Sequence, residues 1–532
     1  MKKTFKFFMC AAIVAAGFVG CSSEEVTPNE NPGGLTEVTD GTPTTATFSF
    51  KLSGADTKAL TADGSENKTV TEFRVLVFNN ADGALEVDTV RAIIANDSLL
   101  TIPLTSGFKR IYVYANGGIT AGPPVSSPAY LGIPAKGSIT TVSALNNAYS
   151  LVTGASPYTD LANMHPLYAA GKFFYSSTVD SSLISLKPGV SSADSRDPNA
   201  SVSQGNYINV WLERPVAKVS ITKKDDSGPA TGFVAGKIIT RDSSGIISNV
   251  QYRLSGLNAG MFPFKKTGAS TPEQTFSTTS DPLRPNFYVD NQGATMANNY
   301  IPVNNRGAAA DIAIGAGNYY YLPENNPTTK QLGNTSFASV EATFLPTRLH
   351  YVAVNTSASG SGVNYNESMQ QFIPTAATTD LATASDMYLL TEPGVNGLAV
   401  NTLFAGADAI KLAKKIYYHL KNPTIAPKAT LDDAVYSAIT DTQLEEYFVK
   451  YTGGKTYYRL DIGSQATAGA KTDNIVLRNY YYDCNITGFL QLGANTPAKL
   501  SEPNADILDG PTNMTVHIII RDWTGRKIGI DI

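Results

Sequence analysis

The chain has 532 residues, of which 42% are hydrophobic and 16% charged, and its formal net charge is −4. The length allows two or more folded domains, and the charged fraction is low against roughly 25% in ordinary soluble proteins. No block of Lys and Arg stands out, so the composition excludes the basic surface of a nucleic-acid-binding protein.

Residues 1–20 have the layout of an export signal. Three lysines precede an apolar run, residues 7–19, which is too short for a stable membrane span. The run ends in Phe18-Val19-Gly20-Cys21, which resembles a bacterial lipobox with Phe in the usual place of Leu. We expect Cys21 to carry lipid and to tether the mature chain to a membrane through a flexible segment, residues 21–45.

The first predicted strand covers residues 46–52. Phe48, Phe50 and Leu52 share one face, and small polar residues and a lysine occupy the other, so we expect a half-buried strand. The polar stretch that follows contains Lys58-Ala59, a bond that a protease could reach easily.

Further strands are predicted at residues 73–78, 109–117 and 210–221, where Pro215 indicates an edge or a bulge. A domain boundary is expected near residue 225, to within about ten residues.

The second half mixes short strands with long polar connections. Two helices are predicted, one over residues 408–420 with Asp408 as its N-cap, and one from Thr442 to Tyr451 that opens with a capping box. Short strands, many turns and few helices together predict β-sandwich domains.

The chain ends in two apolar alternating segments. Their apolar positions are Met514, Val516, Ile518 and Ile520, then Ile528, Ile530 and Ile532. Such a segment is an aggregation hazard unless it is paired. From pattern alone, a final strand folded into its own domain is the favoured interpretation.

No catalytic or metal site is predicted, and no cofactor is expected. The four histidines lie far apart, and His-x-x-x-His, Cys-x-x-Cys and Gly-x-Ser-x-Gly motifs are absent. Cys484 is expected to pack rather than to react. The acid pairs Asp432-Asp433 and Glu445-Glu446 are assigned to helix starts rather than to glycoside hydrolysis.

The aromatic cluster Tyr480-Tyr481-Tyr482 could stack on sugars or on a partner, but core and cross-strand packing is the more frequent use.

Four features together resemble the fimbrillin family of Bacteroides-type bacteria, the type V pilins, and most closely the short-fimbria major subunit class. They are the lipobox, the strand at 46–52 with its Lys-Ala-Leu site, the strand 213–219, and residues 475–489. The last is the most specific, because it resembles the C-terminal motif of the family, in which an Asn-x-Tyr-Tyr-like strand leads to an Ile-x-Gly-Phe strand.

The resemblance implies a mainly β fold with two tandem transthyretin-like, Greek-key β-sandwich domains, residues 46–225 and 226–512, and a few short helices in the second. It implies a non-enzymatic pilus subunit, exported as a lipoprotein to the outer membrane and incorporated into an extracellular fimbrium. Before processing, lipid on Cys21 would hold it at the membrane.

A trypsin-like protease would then remove the first strand within residues 46–58. The cut would follow Lys58, with Lys51 as an alternative. The removed face would carry Phe48, Phe50 and Leu52, and residues 513–532 of the next subunit would fill the slot as donor. The donor side chains would be Met514, Val516, Ile518, Ile520, Ile528, Ile530 and Ile532.

The implied partners are identical subunits joined head to tail, the processing protease, and anchor and tip subunits. The alternative is a monomeric outer-membrane lipoprotein that binds glycan, in which residues 513–532 fold within their own chain. A surface hydrolase has no positive signal in the sequence.

Overall fold

The computed structural model describes, with gaps, the chain between residues 41 and 522. The described residues are 41–52, 70, 72–92, 99–116, 136–142, 145, 150–151, 168–169, 172–177, 184–199, 206–214, 216–223, 233–235, 245–258, 260–261, 264, 300–301, 312–313, 319–323, 325, 331–346, 349–350, 363–366, 370–374, 376–377, 384–392, 395–425, 427, 431–463, 474, 476–489, 491–501 and 514–522. The predicted signal, Cys21, Lys58, Ala59, Ile528, Ile530 and Ile532 lie outside the described residues.

The strands of the N-terminal part run from residue 43 to residue 213. They are β1 (Pro43–Leu52), β2 (Glu72–Asn79), β3 (Leu85–Ala92), β4 (Leu99–Thr105), β5 (Gly107–Ala115), β6 (Ser150–Leu151), β7 (Tyr168–Ala169), β8 (Lys172–Phe173), β9 (Tyr175–Ser177), β10 (Ile184–Leu186) and β11 (Tyr207–Glu213).

The remaining strands run from residue 216 to residue 522. They are β12 (Val216–Lys223), β13 (Phe233–Ala235), β14 (Gly245–Ser255), β15 (Leu257–Asn258), β16 (Gly260–Met261), β17 (Tyr300–Ile301), β18 (Ile312–Ala313), β19 (Tyr319–Pro323), β20 (Phe337–Pro346), β21 (Leu349–His350), β22 (Val363–Asn366), β23 (Gln371–Pro374), β24 (Ala376–Ala377), β25 (Met387–Leu390), β26 (Leu403–Ala405), β27 (Phe448–Tyr451), β28 (Lys455–Asp461), β29 (Tyr480–Phe489) and β30 (Met514–Asp522).

The described helices are short. The α-helices are α1 (Ala409–Lys421), α2 (Ala434–Ser437) and α3 (Asp441–Leu444), and 3-10 turns cover Asp194–Arg196, Thr452–Gly454 and Pro497–Ser501. Within the described ranges, no helix is both long and apolar enough to cross a membrane. The chain is therefore mainly β with a few short helices, as the sequence predicts.

One sheet dominates the N-terminal part, in the order β3-β2-β5-β9-β11-β1-β4, with β10 paired to β5. The end strands β3 and β4 approach each other. Arg91 of β3 donates to the Leu99 carbonyl of β4 at 3.1 Å, and Glu86 of β3 accepts from the backbone N–H of Thr105 at 2.6 Å. The sheet therefore curves until its two ends meet, and it encloses the first core.

Two sheets of the second part share another core. Their orders are β19-β12-β29-β30 and β13-β14-β20-β28, with β18 paired to β14. The shared core includes Val219, Leu254, Val340, Tyr458 and Cys484. A third sheet, β24-β21-β26-β25-β27, packs with α1 around a separate core.

The predicted single strand at 210–221 is wrong, because the structure breaks it in two. β11 ends at Glu213 and β12 begins at Val216, and the two strands belong to different sheets. Proline has no backbone N–H for a ladder, so a proline in the sequence between Glu213 and Val216 disfavours one continuous strand. Val216 packs in the first core and Ala217 in the second.

The predicted helix from Thr442 to Tyr451 is also wrong. A capping box does exist, but it joins Thr440 and Gln443, and α3 ends at Leu444. Phe448–Tyr451 forms strand β27, paired with β25. Burial of Phe448 and Tyr451 in the sheet overrides the local helical signal.

The acid pairs divide between two roles. Asp433 caps α2 by accepting from the backbone N–H of Val435 at 2.9 Å, as predicted for a helix start. Glu445 instead lies at the end of α3, and Glu446 forms an ion pair with Lys421. The assignment of the second pair to a helix start is therefore wrong.

Candidate functional site: the first and last strands

Strand β1 lies inside the first sheet, with a neighbour on each side. It pairs in parallel with β11 over residues 47–52 and antiparallel with β4 over residues 43–49. In the described part of the chain, β4 has no other ladder partner than β1. Removal of β1 would therefore open two strand edges at once.

The inward face of β1 is apolar and buried. Ala46 and Phe48 are fully buried and Phe50 is nearly so. The Phe50 ring stacks on the Phe73 ring, with centroids 4.0 Å apart. The backbone of Leu52, the third predicted member of this face, pairs with Leu212. The predicted apolar face is thus observed for Phe48 and Phe50.

The outward face of β1 is buried as well in its N-terminal part, so the predicted half-buried strand is only partly right. Thr47 is fully buried and Ser49 nearly so, whereas Lys51 is exposed. The 3-10 turn Asp194–Arg196 lies over this face, and its Ser195 is fully buried. The turn that covers this face lies far from β1 in the sequence, since Thr47 and Ser195 are 148 residues apart.

A chain of hydroxyl groups crosses the buried outward face. The Thr47 hydroxyl is 3.0 Å from the Thr101 hydroxyl and 2.9 Å from that of Ser195. Ser195 donates to the Ser192 carbonyl at 3.1 Å. Because each hydroxyl has one proton, Ser195 accepts from Thr47, and Thr47 accepts from Thr101.

A second polar contact holds the start of β1. The side-chain amide of Asn206 donates to the Thr44 hydroxyl at 2.9 Å and to the Thr45 carbonyl at 3.0 Å. The Thr44 hydroxyl donates to the Lys187 carbonyl at 2.6 Å. Sequence analysis missed these residues, because Asn206 lies far from β1 in the chain.

The walls on either side of β1 also have contacts of their own. Glu86 binds the Thr105 N–H of β4, and the ammonium of Lys109 lies 2.6 Å from a Glu86 oxygen. Lys109 is almost fully buried. On the other side, β11 pairs with β9 at residues 212 and 213. These contacts do not involve β1.

Strand β30, which contains the predicted donor positions 514 to 520, lies at the edge of its sheet. It pairs antiparallel with β29, from Tyr480 opposite Asp522 to Phe489 opposite Met514. Met514 and Val516 are partly buried against the second core. The backbone positions of Ile518 and Ile520 lie opposite Cys484 and Tyr482. In this structure β30 is therefore paired within its own chain.

Of the two predicted cleavage positions, only Lys51 is described. Its ammonium lies 5.3 Å from the centre of the Trp211 ring, and its backbone is opposite Trp211 in β11. A protease needs an extended segment that is free of other pairing. Because Lys51 and Leu52 are both paired with β11, the bond between them is poorly accessible to a protease.

The remaining sequence candidates for chemistry are structural. Burial raises the pKa of the Cys484 thiol far above its usual range, so the reactive thiolate is disfavoured. Among the described residues, no three His, Cys, Asp or Glu side chains group as metal ligands would.

The tyrosine cluster of β29 binds its own chain. Tyr482 is fully buried and its hydroxyl accepts from the Leu477 N–H at 2.9 Å. The Tyr481 hydroxyl lies 2.8 Å from that of Ser220, and the Lys218 ammonium lies 4.8 Å from the Tyr481 ring centre. This is cross-strand packing between β12 and β29.

Comparison with known proteins gives two family matches. The model described as "Major fimbrial subunit protein (FimA)" matches residues 46–203, and the model described as "Major fimbrial subunit protein type IV, Fimbrillin, C-terminal" matches residues 449–528. No curated protein matches the sequence. The matched regions include most of β1 and all of β29 and β30.

Among solved structures, a fimbrilin (fimA) from Porphyromonas gingivalis W83 is 12% identical, with TM-score 0.41, over 91% of this chain and 99% of that one. The tip fimbrial protein Mfa3 from Porphyromonas gingivalis, with a C-terminal truncation, is 12% identical, with TM-score 0.33, over 90% and 100%. A fimbrial assembly protein from Parabacteroides distasonis ATCC 8503 is 12% identical, with TM-score 0.29, over 92% and 97%.

Proposed function

Because this chain belongs to the fimbrillin family of major fimbrial subunits, we propose that it polymerises into the stalk of a surface fimbria when a protease removes β1 and another subunit supplies a replacement strand. The family is structural rather than enzymatic, and a fimbrial subunit works at the cell surface with other subunits as its partners. The proposal concerns the step that joins one subunit to the next.

The observation that carries the proposal is a difference in strand pairing. β1 has ladder partners on both sides, whereas β30 has one partner, β29, among the described residues. A strand that moves from the edge of its own sheet into the place of β1 therefore exchanges one neighbour for two. Since unpaired edges and apolar slots are unfavourable in water, the exchange is downhill once β1 has left.

The two strands that flank the slot left by β1, β4 and β11, also keep contacts that do not involve β1. β4 is tied to β3 through Glu86 and Arg91, and β11 is tied to β9, so neither wall depends on β1 alone. Reburial of the surface that Phe48 and Phe50 cover contributes roughly 3–6 kcal/mol, an upper estimate for two large side chains. This supports a junction that dissociates slowly.

Two further parts of the proposal concern the precursor. Export as a lipoprotein through Cys21 would bring the chain to the outer membrane, where a trypsin-like protease would cut after Lys58. The pairing of Lys51 within the sheet favours Lys58 over the alternative cut. Anchor and tip subunits would then be the partners at the two ends of the polymer.

We also propose two tandem sandwich domains, residues 46–225 and 226–512. The change from first to second core between Val216 and Ala217 supports a division in this region. Contacts also cross this division, for example the packing of Phe264 on Tyr112 in the first core, with ring centres 5.1 Å apart.

Limited trypsin treatment of the purified precursor tests the function. On a denaturing gel we expect ladders of SDS-resistant oligomer bands. Deletion of residues 513–532 should abolish these bands while cleavage proceeds. Lys58→Gln should block ladder formation, and the matched control Lys51→Gln should not. A cleaved product that stays monomeric would contradict the proposal.

A second function has one observation in its favour. β30 is paired with β29 of its own chain, as it would be in a monomeric surface lipoprotein that binds glycan. That alternative predicts cleaved monomers and glycan-dependent retention on an array, so the trypsin experiment separates the two functions.

A further inference from the structure

The sequence of β1 recurs near the C-terminus. β1, Pro43–Leu52, reads PTTATFSFKL, and residues 511–520 read PTNMTVHIII. Proline opens both segments, threonines follow at the second and fifth positions, and apolar residues occupy the fourth, sixth, eighth and tenth. No other alignment of β1 with residues 503–532 matches both threonines, because Thr524 is the only further threonine there.

The two repeated threonines are the ones whose hydroxyl groups β1 uses. Thr44 binds Asn206 and the Lys187 carbonyl, and Thr47 links Thr101 to the buried Ser195. The intervening Thr45 has no such role in the described contacts, and the C-terminal segment has Asn513 in its place. The match therefore follows the polar contacts of the slot, not only its apolar pattern.

From this match we propose that residues 511–520 of a second copy of this chain replace β1 in one defined register, with Thr512 in the place of Thr44 and Thr515 in the place of Thr47. The inference rests on the proposed function, and it adds the direction, the register and the residues that set them. The incoming strand runs as β1 does, parallel to β11 and antiparallel to β4.

The hydroxyl chain explains why one register is selected. When β1 leaves, Thr101 loses its acceptor and the buried Ser195 loses its donor, and a buried polar group without a partner is costly. A serine or threonine hydroxyl supplies both roles. A shift by two residues keeps apolar residues on the inward face but brings Asn513 or His517 to the Ser195 site.

The opposite direction fits less well. If the incoming strand ran antiparallel to β1 with Thr515 at the same site, Ile518 would replace Thr44. Asn206 would then face an apolar side chain where it now donates to a hydroxyl. The direction of β1 keeps both polar contacts, whereas the opposite direction keeps one.

The proposed strand is also chemically suited to the slot. Proline at position 511 lacks an N–H just as Pro43 does, so no ladder bond is lost there. Met514 takes the place of the fully buried Ala46 and is larger, but methionine adapts to irregular spaces better than branched residues do.

Cysteine cross-linking between subunits tests the register. In β1, Ser49 lies opposite Leu99 of β4, so the proposal places His517 there. We expect trypsin-treated mixtures of Leu99→Cys and His517→Cys subunits to form a disulfide between subunits, because directly opposite Cβ atoms lie about 5 Å apart. Thr515→Cys and Ile519→Cys, two residues to either side, serve as controls and should cross-link at least tenfold less.

Hydroxyl variants give a second readout. Thr515→Val should make assembled junctions dissociate roughly tenfold faster, in keeping with a buried hydrogen bond lost without replacement, and Thr515→Ser should restore the slow rate. Thr524→Val is the matched control and should behave as the natural chain does.

The outcomes distinguish this inference from the function on which it rests. If ladders form but cross-linking is strongest at position 515 or 519, or if Thr515→Val dissociates like the natural chain, the register is wrong and the polymer remains. If cleaved natural subunits form no ladders at all, both proposals fail.

Discussion

The guanidinium of Arg478 lies 3.9 Å from the carboxylate of Glu213, and both side chains are almost fully buried. Glu213 ends β11 in the first sheet, and Arg478 lies just before β29 in the second part of the chain. Arg478 also donates to the Ser176 hydroxyl of β9 at 3.4 Å. The contact therefore fastens the region of the C-terminal family match to the sheet that contains β1.

Replacement of Arg478 by Met should destabilise the protein by about 3 kcal/mol, because Glu213 would keep a buried charge without its partner. The double variant Arg478→Met with Glu213→Gln should recover part of the loss. Urea unfolding followed by tryptophan fluorescence measures both. Equal stability of the single variant and the natural chain would show that the pair is not energetically coupled.

Thr47→Val should lower the stability of the uncleaved precursor by about 1–3 kcal/mol, since the Thr101 and Ser195 hydroxyls each lose a partner. Thr47→Ser should retain most of the stability. Thr45→Val, two residues away on the same face and less buried, is the matched control for the replacement of a hydroxyl by a methyl group. Thermal unfolding at neutral pH is the measurement, and an unchanged midpoint for Thr47→Val would contradict the hydroxyl chain.

Glu86→Ala should destabilise the first sheet by about 3–5 kcal/mol, because the buried ammonium of Lys109 would lose its ion-pair partner and β4 would lose a tie to β3. Glu86→Ala with Lys109→Met tests the cause, since it removes both charges. Chemical denaturation compares the two variants. A double variant no more stable than the single one would point to the tie on β4 as the main contribution.

His419 should make stability fall as the solution becomes acidic. Burial holds its pKa below the usual value, and its ring accepts from the Asn396 amide and contacts the Tyr365 ring. The unfolded chain takes up a proton near pH 6.5 whereas the folded chain resists it, so stability is lost as pH falls below about 6.5.

The comparison of His419→Phe with the natural chain isolates this group from the carboxylates. Urea midpoints at pH 7.5 and pH 5.5 should differ less in the variant. An equal decrease in both proteins would exclude His419 as a cause.

Cys484 should resist thiol reagents in the folded protein. Its thiol is fully buried and its pKa is raised by burial, so little thiolate is present at neutral pH. In a precursor with Cys10→Ala and Cys21→Ala, iodoacetamide should label Cys484 only after unfolding. Rapid labelling of the native chain would indicate that β29 opens readily.

The strands that sequence predicted best are those whose signal is local. β1, β2 and β5 alternate or run apolar over six or more residues, and their side chains fill the first core as the patterns indicate. The break between Glu213 and Val216 could not be located from pattern, because the residues on both sides have strand character and only the change of core separates Val216 from Ala217.

The polar half of the candidate site could not be predicted in the same way. The outward face of β1 reads as a solvent-facing row of Thr, Ser and Lys, and its burial depends on Ser195 and Asn206, which join it only through the fold. The home pairing of β30 was favoured by pattern, and the structure confirms it.

The two-residue link between β11 and β12 has a mechanical consequence. Two residues span at most about 7 Å, so tension on β11 passes directly to β12 and from there to β29 beside it. A strand that pairs with β11, as β1 does, lies alongside this path of tension from β11 to β12. A pull along that line loads the ladder hydrogen bonds together in shear, whereas a sideways pull would break them one at a time.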